Sequence, residues 1–151
     1  MVLLAWLVIN LLQAIFTGLA HDESYYWVWA QHLDWGYFEH PPMVAIFVWL
    51  GGLLFDGELG VRLITVLSST AVLYLLARMI NVRDVLLFAA LAFGTLLLNV
   101  GGFYTAPDSA LMLSGVLFLV AYKRYLNHIT SAMLPANNKA EVQVLWLRWR
   151  L

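Results

Sequence analysis

Acidic and aromatic side chains are concentrated in one segment, residues 21–42, of an otherwise apolar sequence. The adjacent carboxylates of Asp22 and Glu23 come just after the uncharged residues 1–20. A carboxylate can accept the proton of an attacking hydroxyl group, which is the role of a general base. Charged groups beside hydrocarbon are costly and commonly functional. The pair therefore either takes part in chemistry or forms a polar collar that ends a membrane span.

The composition of the whole chain excludes several classes of protein. Of its 151 residues, 63% are hydrophobic and 11% are charged, whereas soluble domains have about 45–50% and about 25%. A chain this small cannot bury so much apolar surface in one core, so a soluble domain and a disordered chain are excluded. The net charge of -1 excludes a polybasic nucleic-acid binder. The absence of cysteine excludes disulfides, thiolate metal sites and a cysteine nucleophile.

Uncharged stretches of the sequence predict the elements that position the carboxylates. A spanning helix takes about 20 residues, which predicts about four spans, near residues 2–20, 62–80, 85–103 and 108–124. The external loop 21–61 is predicted to begin with a short helix from an Asp22 N-cap through Leu33. Met43–Phe55 is too short to span and predicts an interfacial or re-entrant helix. The predicted fold class is all-α, an integral membrane helical bundle with interfacial helices in this first external loop.

Charge distribution predicts the orientation in the membrane. If Met43–Phe55 lies on the surface, the loops that carry Asp22 and Asp108 share one side. The opposite side then carries four cations, Arg78, Arg83, Lys123 and Arg124. Cytoplasmic loops hold the excess of Lys and Arg. The chain is therefore predicted to be a multi-pass protein of the cell inner (plasma) membrane, with the acidic loops facing the periplasm or exterior.

Four motifs, taken together and in order, resemble a known family. They are Asp-Glu at 22–23, Trp-Gly-Tyr-Phe-Glu-His-Pro-Pro at 35–42, Glu-Leu-Gly-Val-Arg at 58–62 and Tyr-Thr-Ala-Pro-Asp-Ser at 104–109. This pattern resembles the C-type-fold glycosyltransferases that use polyprenyl-phosphate sugars, which include bacterial protein-mannosyltransferase-like and aminoarabinose-transferase-like enzymes. The resemblance covers roughly residues 1 to 125.

The resemblance implies an enzyme that moves a sugar from a polyprenyl-phosphate carrier to a lipid, glycan or protein acceptor at the outer membrane face. Asp22 matches the catalytic position of the family, and Glu23 would orient it or substitute for it. Arg62, the only Lys or Arg on the external side, would meet the lipid phosphate. The implied substrate-binding residues are Arg62, Asp108, Tyr26 and His40.

Other interpretations of the same residues stay open at the level of sequence. Arg62 could be a helix-end arginine that snorkels, Asp108 a charge at a helix N-terminus, and the aromatic rings an interfacial belt. The alternative functions are a non-catalytic membrane interaction protein, a transporter fragment or a metal-dependent hydrolase of lipid phosphates. The histidine spacing matches no standard metal-ligand pattern, so no metal site or cofactor is predicted, with a divalent ion left open. Apart from donor and acceptor, the expected partners are membrane lipids.

The last part of the sequence departs from the family pattern. Residues 1–128 are interpreted as the N-terminal membrane part of such an enzyme, whose complete members are several times longer. Residues 129–151 contain Pro135 and do not continue the hydrophobic pattern. Two interpretations stay open: the tail is a divergent end of the enzyme, or it reflects a truncation or a shifted reading frame, in which case the chain would carry the catalytic loop as an inactive fragment.

Overall fold

The computed structural model describes residues 1–38, 40–80 and 82–133, and this part of the chain is all-α, as predicted. Residues 134–151 of the atypical tail lie outside the described residues, while residues 129–133 continue the last helix. In order, the helices are α1 (Val2–Phe16), α2 (His21–Gln31), α3 (Met43–Gly52), α4 (Gly57–Ile80), α5 (Val85–Gly94), α6 (Leu96–Phe103) and α7 (Pro107–Met133).

Among the described residues, two helices are long and apolar enough to cross a membrane, namely α4 and the Pro107–Thr130 part of α7. The count rises to four if the bent pairs α1–α2 and α5–α6 each form one broken span. Large apolar side chains are exposed along the helix surfaces, for example Leu97 at 82%, Leu111 at 68% and Phe118 at 66%. Such surfaces are stable against lipid rather than water, so this is a membrane-embedded protein.

The first span was predicted to cover residues 2–20, but its helix is shorter. α1 ends at Phe16, Thr17 is extended, and α2 runs at 86° to α1. Asp22 was predicted to be the N-cap of α2, and this was wrong because the N-cap is Ala20. The Glu23 side chain satisfies this end of the helix, since its Oε2 accepts the Ala20 N–H at 3.0 Å. Asp22 lies in the first turn instead.

The third predicted span, residues 85–103, consists of two helices that meet at 74°. The break lies at Thr95, whose backbone is extended (φ −88°, ψ 105°) and follows Gly94, a weak helix former. The Asn99 side-chain amide donates to the carbonyl oxygens of Phe93 at 2.8 Å and Thr95 at 3.0 Å. The bond to Phe93 spans the break and ties the two helices together.

Helix α4 is the central element, and α1, α3, α6 and α7 all pack against it. The α3–α4 contact depends on two glycines. A Cβ atom on Gly51 would lie 2.0 Å from the Gly60 carbonyl oxygen, and one on Gly60 would lie 2.0 Å from that of Phe55. Gly57, with φ +71°, makes the turn into α4. This close packing of α3 against α4 fixes the first turns of α4, where Arg62 lies.

Candidate active site at the outer corner of α1, α2 and α4

A buried ion pair joins α2 to α4. The side chains of Glu23 and Arg62 are 0% and 1% exposed, and Arg62 Nε donates to Glu23 Oε1 at 2.8 Å. Arg62 Nη2 donates a second, short bond to Oε2. This bidentate geometry suits a guanidinium and a carboxylate, and it makes the pair specific as well as strong.

The remaining N–H groups of Arg62 satisfy the C-terminal end of α1. Nη1 donates to the carbonyl oxygens of Ala14 and Thr17, and Nη2 donates to that of Gly18 at 2.9 Å. The last carbonyls of a helix lack partners within the helix and carry partial negative charge, so a cation stabilises them. All five guanidinium N–H bonds are therefore used. Arg62 was expected to meet a lipid phosphate, but here it has no free donor and instead holds three helices together.

The Glu23 carboxylate also accepts as many hydrogen bonds as its two oxygens can take, four in total. Besides Arg62 and the Ala20 N–H, its carboxylate accepts the backbone N–H of Thr105 at 3.0 Å. The Thr105 hydroxyl donates to the Val61 carbonyl at 3.0 Å and lies 2.9 Å from the Thr65 hydroxyl. Glu23 thus fixes the loop after α6 against α2 and α4. A fully buried, four-bonded carboxylate is a positioning group and has no access to a substrate proton.

Asp22, by contrast, is accessible. Its side chain is 64% exposed, and its Oδ1 lies 4.0 Å from His21 Nδ1. The Tyr104 hydroxyl donates to Asp22 Oδ2 at 3.4 Å. Of the two adjacent acids, Asp22 is the one whose carboxylate can reach a ligand.

Two tyrosines next to Asp22 are held in their protonated form. Burial, followed by the charges of Asp22 and Glu23, raises the pKa of Tyr104 from the ordinary 10.0 to about 12. Burial also raises the pKa of Tyr26, with further effects from Asp22, Asp108 and Glu23. Both hydroxyls therefore remain hydrogen-bond donors at neutral pH. Asp108, exposed in the first turn of α7, lies within electrostatic range of Tyr26.

Tyr26 and His40 belong to an aromatic cluster that stabilises α2. Their ring centroids are 5.9 Å apart, and His40 is 5.4 Å from Trp29, which stacks on Tyr37 at 4.7 Å. The Tyr37 hydroxyl lies 3.1 Å from the Trp29 carbonyl oxygen and 3.0 Å from that of His32, so it can donate to either one where α2 ends. Tyr26 is only 5% exposed and packs with apolar residues of α3 and α4. Tyr26 and His40, the two rings that the resemblance implied for substrate binding, thus lie side by side, and most of the Tyr26 surface is used in packing.

Sequence reasoning missed two residues of this corner, Tyr104 and Thr105. The signal that could have found them was their position in the motif at 104–109, next to the predicted substrate residue Asp108. Within residues 1–38, 40–80 and 82–133, no three His, Asp or Glu side chains are placed to hold a metal ion.

The fold and this corner define a class, a helical membrane protein in which an exposed carboxylate, Asp22, lies beside a buried ion pair and accepts a hydrogen bond from Tyr104. Comparison of the chain with known protein families, curated proteins and solved structures returns no match.

Proposed function

We propose that the protein is a glycosyltransferase that moves a sugar from a polyprenyl-phosphate carrier to an acceptor hydroxyl, with Asp22 as the general base. The observation that carries the proposal is the division of roles within the Asp-Glu pair. Glu23 is buried and fully hydrogen-bonded, whereas Asp22 is exposed beside the Tyr104 hydroxyl. The four motifs that resemble the family support the same assignment.

The proposed step balances with the groups at hand. The Asp22 carboxylate accepts the proton of the acceptor hydroxyl while the acceptor oxygen forms a bond to the anomeric carbon. The bond from that carbon to the phosphate oxygen breaks, and the lipid phosphate leaves with the bonding electron pair. The Tyr104 hydroxyl, which stays protonated, holds the Asp22 carboxylate in place.

The proposed location is the cell inner (plasma) membrane, with the Asp22 corner on the periplasmic or exterior side. The acidic loops then share one side, and Arg78, Arg83, Lys123 and Arg124 lie on the other, in agreement with the usual excess of cations in cytoplasmic loops. The donor lipid would reach the corner laterally from the bilayer. The acceptor would be a lipid, glycan or protein on the same side.

A non-catalytic membrane interaction protein is the second candidate, and one observation favours it. Arg62 is the only Lys or Arg in residues 1–77, and the ion pair and helix end use all of its donors. In residues 1–77, therefore, no cation is available for the leaving phosphate.

The test is sugar transfer in membranes that contain the full chain, with a radiolabelled polyprenyl-phosphate sugar as donor. Asp22→Asn keeps the size of the side chain but removes the base, and the transfer rate should fall about 10²- to 10⁴-fold. The matched control is Asp34→Asn, an exposed acid of the same loop that bonds only to its neighbour's N–H in the described structure. Equal rates for wild type and Asp22→Asn, or no transfer by the wild type, would refute the proposal.

A further inference from the structure

A cleft of about 280 Å³ lies between the end of α2, the end of α3 and the first turn of α4. Its walls include two indoles, Trp27 and Trp49, and two polar side chains, Gln31 and Asp56. Asp22, Tyr104 and Asp108 do not line it. The cleft is therefore separate from the carboxylate corner, although α2 contributes to both.

The lining groups have the chemistry that recognises a sugar ring. Trp27 and Trp49 are 49% and 41% exposed, so each presents indole surface on which the C–H face of a pyranose can stack. The Asp56 carboxylate makes no hydrogen bond or ion pair within the described residues, and it can accept from sugar hydroxyls. Gln31 adds an amide oxygen as a further acceptor. Aromatic walls with a few polar groups are typical of small-ligand sites.

The negative charge of the residues around the cleft disfavours a ligand that is itself negatively charged. Residues 21–61 contain no Lys or Arg and six acidic residues, Asp22, Glu23, Asp34, Glu39, Asp56 and Glu58. A carboxylate at the cleft repels a phosphate or an anionic lipid headgroup. The donor phosphate is therefore disfavoured here, and an uncharged sugar ring is favoured.

The cleft is also preformed. The close contacts of Gly51 and Gly60 fix α3 on α4 and so hold two of its walls at a constant distance. Gly52 forms part of the wall, and a Cβ atom there would meet nothing within 4 Å. A larger side chain at position 52 can therefore enter the open space without a clash at its Cβ.

We propose that this cleft binds an uncharged pyranose ring, with Trp27 and Trp49 as stacking surfaces and Asp56 and Gln31 as hydroxyl partners. Its role as a subsite for a saccharide acceptor rests on the proposed function. Binding itself requires no sugar transfer and can be measured without it.

The experiment titrates the full chain in nanodiscs of neutral phospholipid and follows tryptophan fluorescence. The probes are methyl β-D-glucopyranoside, methyl β-D-galactopyranoside and N-acetylglucosamine, with glucuronic acid as the anionic counterpart. At least one uncharged probe should give a saturable change, and glucuronic acid should bind more weakly. Trp27→Ala should weaken binding about 3- to 10-fold, the range of one aromatic contact. Asp56→Asn should also weaken it.

Two further variants make the outcome decisive. Gly52→Leu fills the cleft and should abolish the saturable change, whereas Trp35→Ala, at a tryptophan that is 95% exposed and outside the cleft, should leave it unchanged. Gel filtration and circular dichroism would confirm that each variant is folded.

No saturable binding of any uncharged probe, equal loss in Trp35→Ala and Trp27→Ala, or binding only in nanodiscs containing phosphatidylglycerol would overturn the inference. Transfer without sugar binding would overturn this inference alone, and binding without transfer would overturn only the proposed function.

Discussion

Removal of the Arg62 guanidinium is expected to destabilise the protein by about 3–5 kcal/mol, the range for breaking a buried ion pair by removing one partner. In Arg62→Met, Glu23 keeps a buried negative charge and retains only the N–H groups of Ala20 and Thr105 as partners. The carbonyl oxygens at the end of α1 lose their donor as well. The estimate is at the upper end of single-residue effects because both consequences act together.

A double substitution separates the pair interaction from the other bonds. Glu23→Gln alone leaves the Arg62 charge buried and should also be strongly destabilising. The double variant Glu23→Gln with Arg62→Met contains neither charge, so its loss should be smaller than the sum of the two single losses by at least about 1 kcal/mol. Arg62→Lys should give an intermediate loss, because one ammonium cannot reproduce the bidentate contact.

The assay is reversible unfolding in mixed micelles with increasing SDS, followed by tryptophan fluorescence. Arg78→Met is the matched control, since it changes the same residue type at an exposed position of the same helix, where the side chain contacts Tyr74. It should leave the unfolding midpoint unchanged. If Arg62→Met behaved like Arg78→Met, or if the two single losses were additive in the double variant, the structural role of the pair would be refuted.

Two further predictions concern pH and topology. Since the pKa of Tyr104 is raised to about 12 from the ordinary 10.0, the unfolded chain loses this proton first, so stability should fall as pH rises from about 10 to about 12. Tyr104→Phe should show a smaller fall in the unfolding midpoint over that window, and an identical fall would contradict the assignment. Single cysteines at Trp35 and Ser109 should react with an impermeant thiol reagent outside intact cells, and a cysteine at Arg83 should not. Labelling of positions 35 and 109 from opposite sides would contradict the proposed orientation.

The sequence predicted the helical class because long uncharged stretches have few other solutions in lipid. It did not predict the sharp bends. Residues 1–20 and 85–103 each look continuous in composition, and side-chain hydrogen bonds stabilise both breaks. Arg62, from α4, satisfies the end of α1, and Asn99, within the second segment itself, bonds to the Phe93 carbonyl across the break at Thr95.

The sequence indicated which residues belong to the candidate site, but it did not indicate the separate role of each one. Composition alone marks Arg62 as the single cation near an acidic loop, which indicates a carboxylate partner as readily as a phosphate. Only the fold shows that Glu23 is that partner, because 39 residues separate the two in sequence. The roles of Tyr104 and Thr105 depend on contacts over 82 residues, which no local pattern encodes.

The long sequence separation of these contacts has a consequence for biosynthesis. The Thr17 carbonyl at the end of α1 accepts a hydrogen bond from Arg62, which is synthesised 45 residues later. Glu23 accepts a hydrogen bond from the Thr105 N–H, which is synthesised 82 residues later. During co-translational insertion, the C-terminal end of α1 therefore lacks its Arg62 donor until the start of α4 has been made. The Asp22 corner is completed only when the loop after α6 has been inserted. A nascent chain stopped before residue 104 would contain the Glu23–Arg62 pair but would lack the Tyr104 hydroxyl that bonds to Asp22 and the Thr105 N–H that bonds to Glu23.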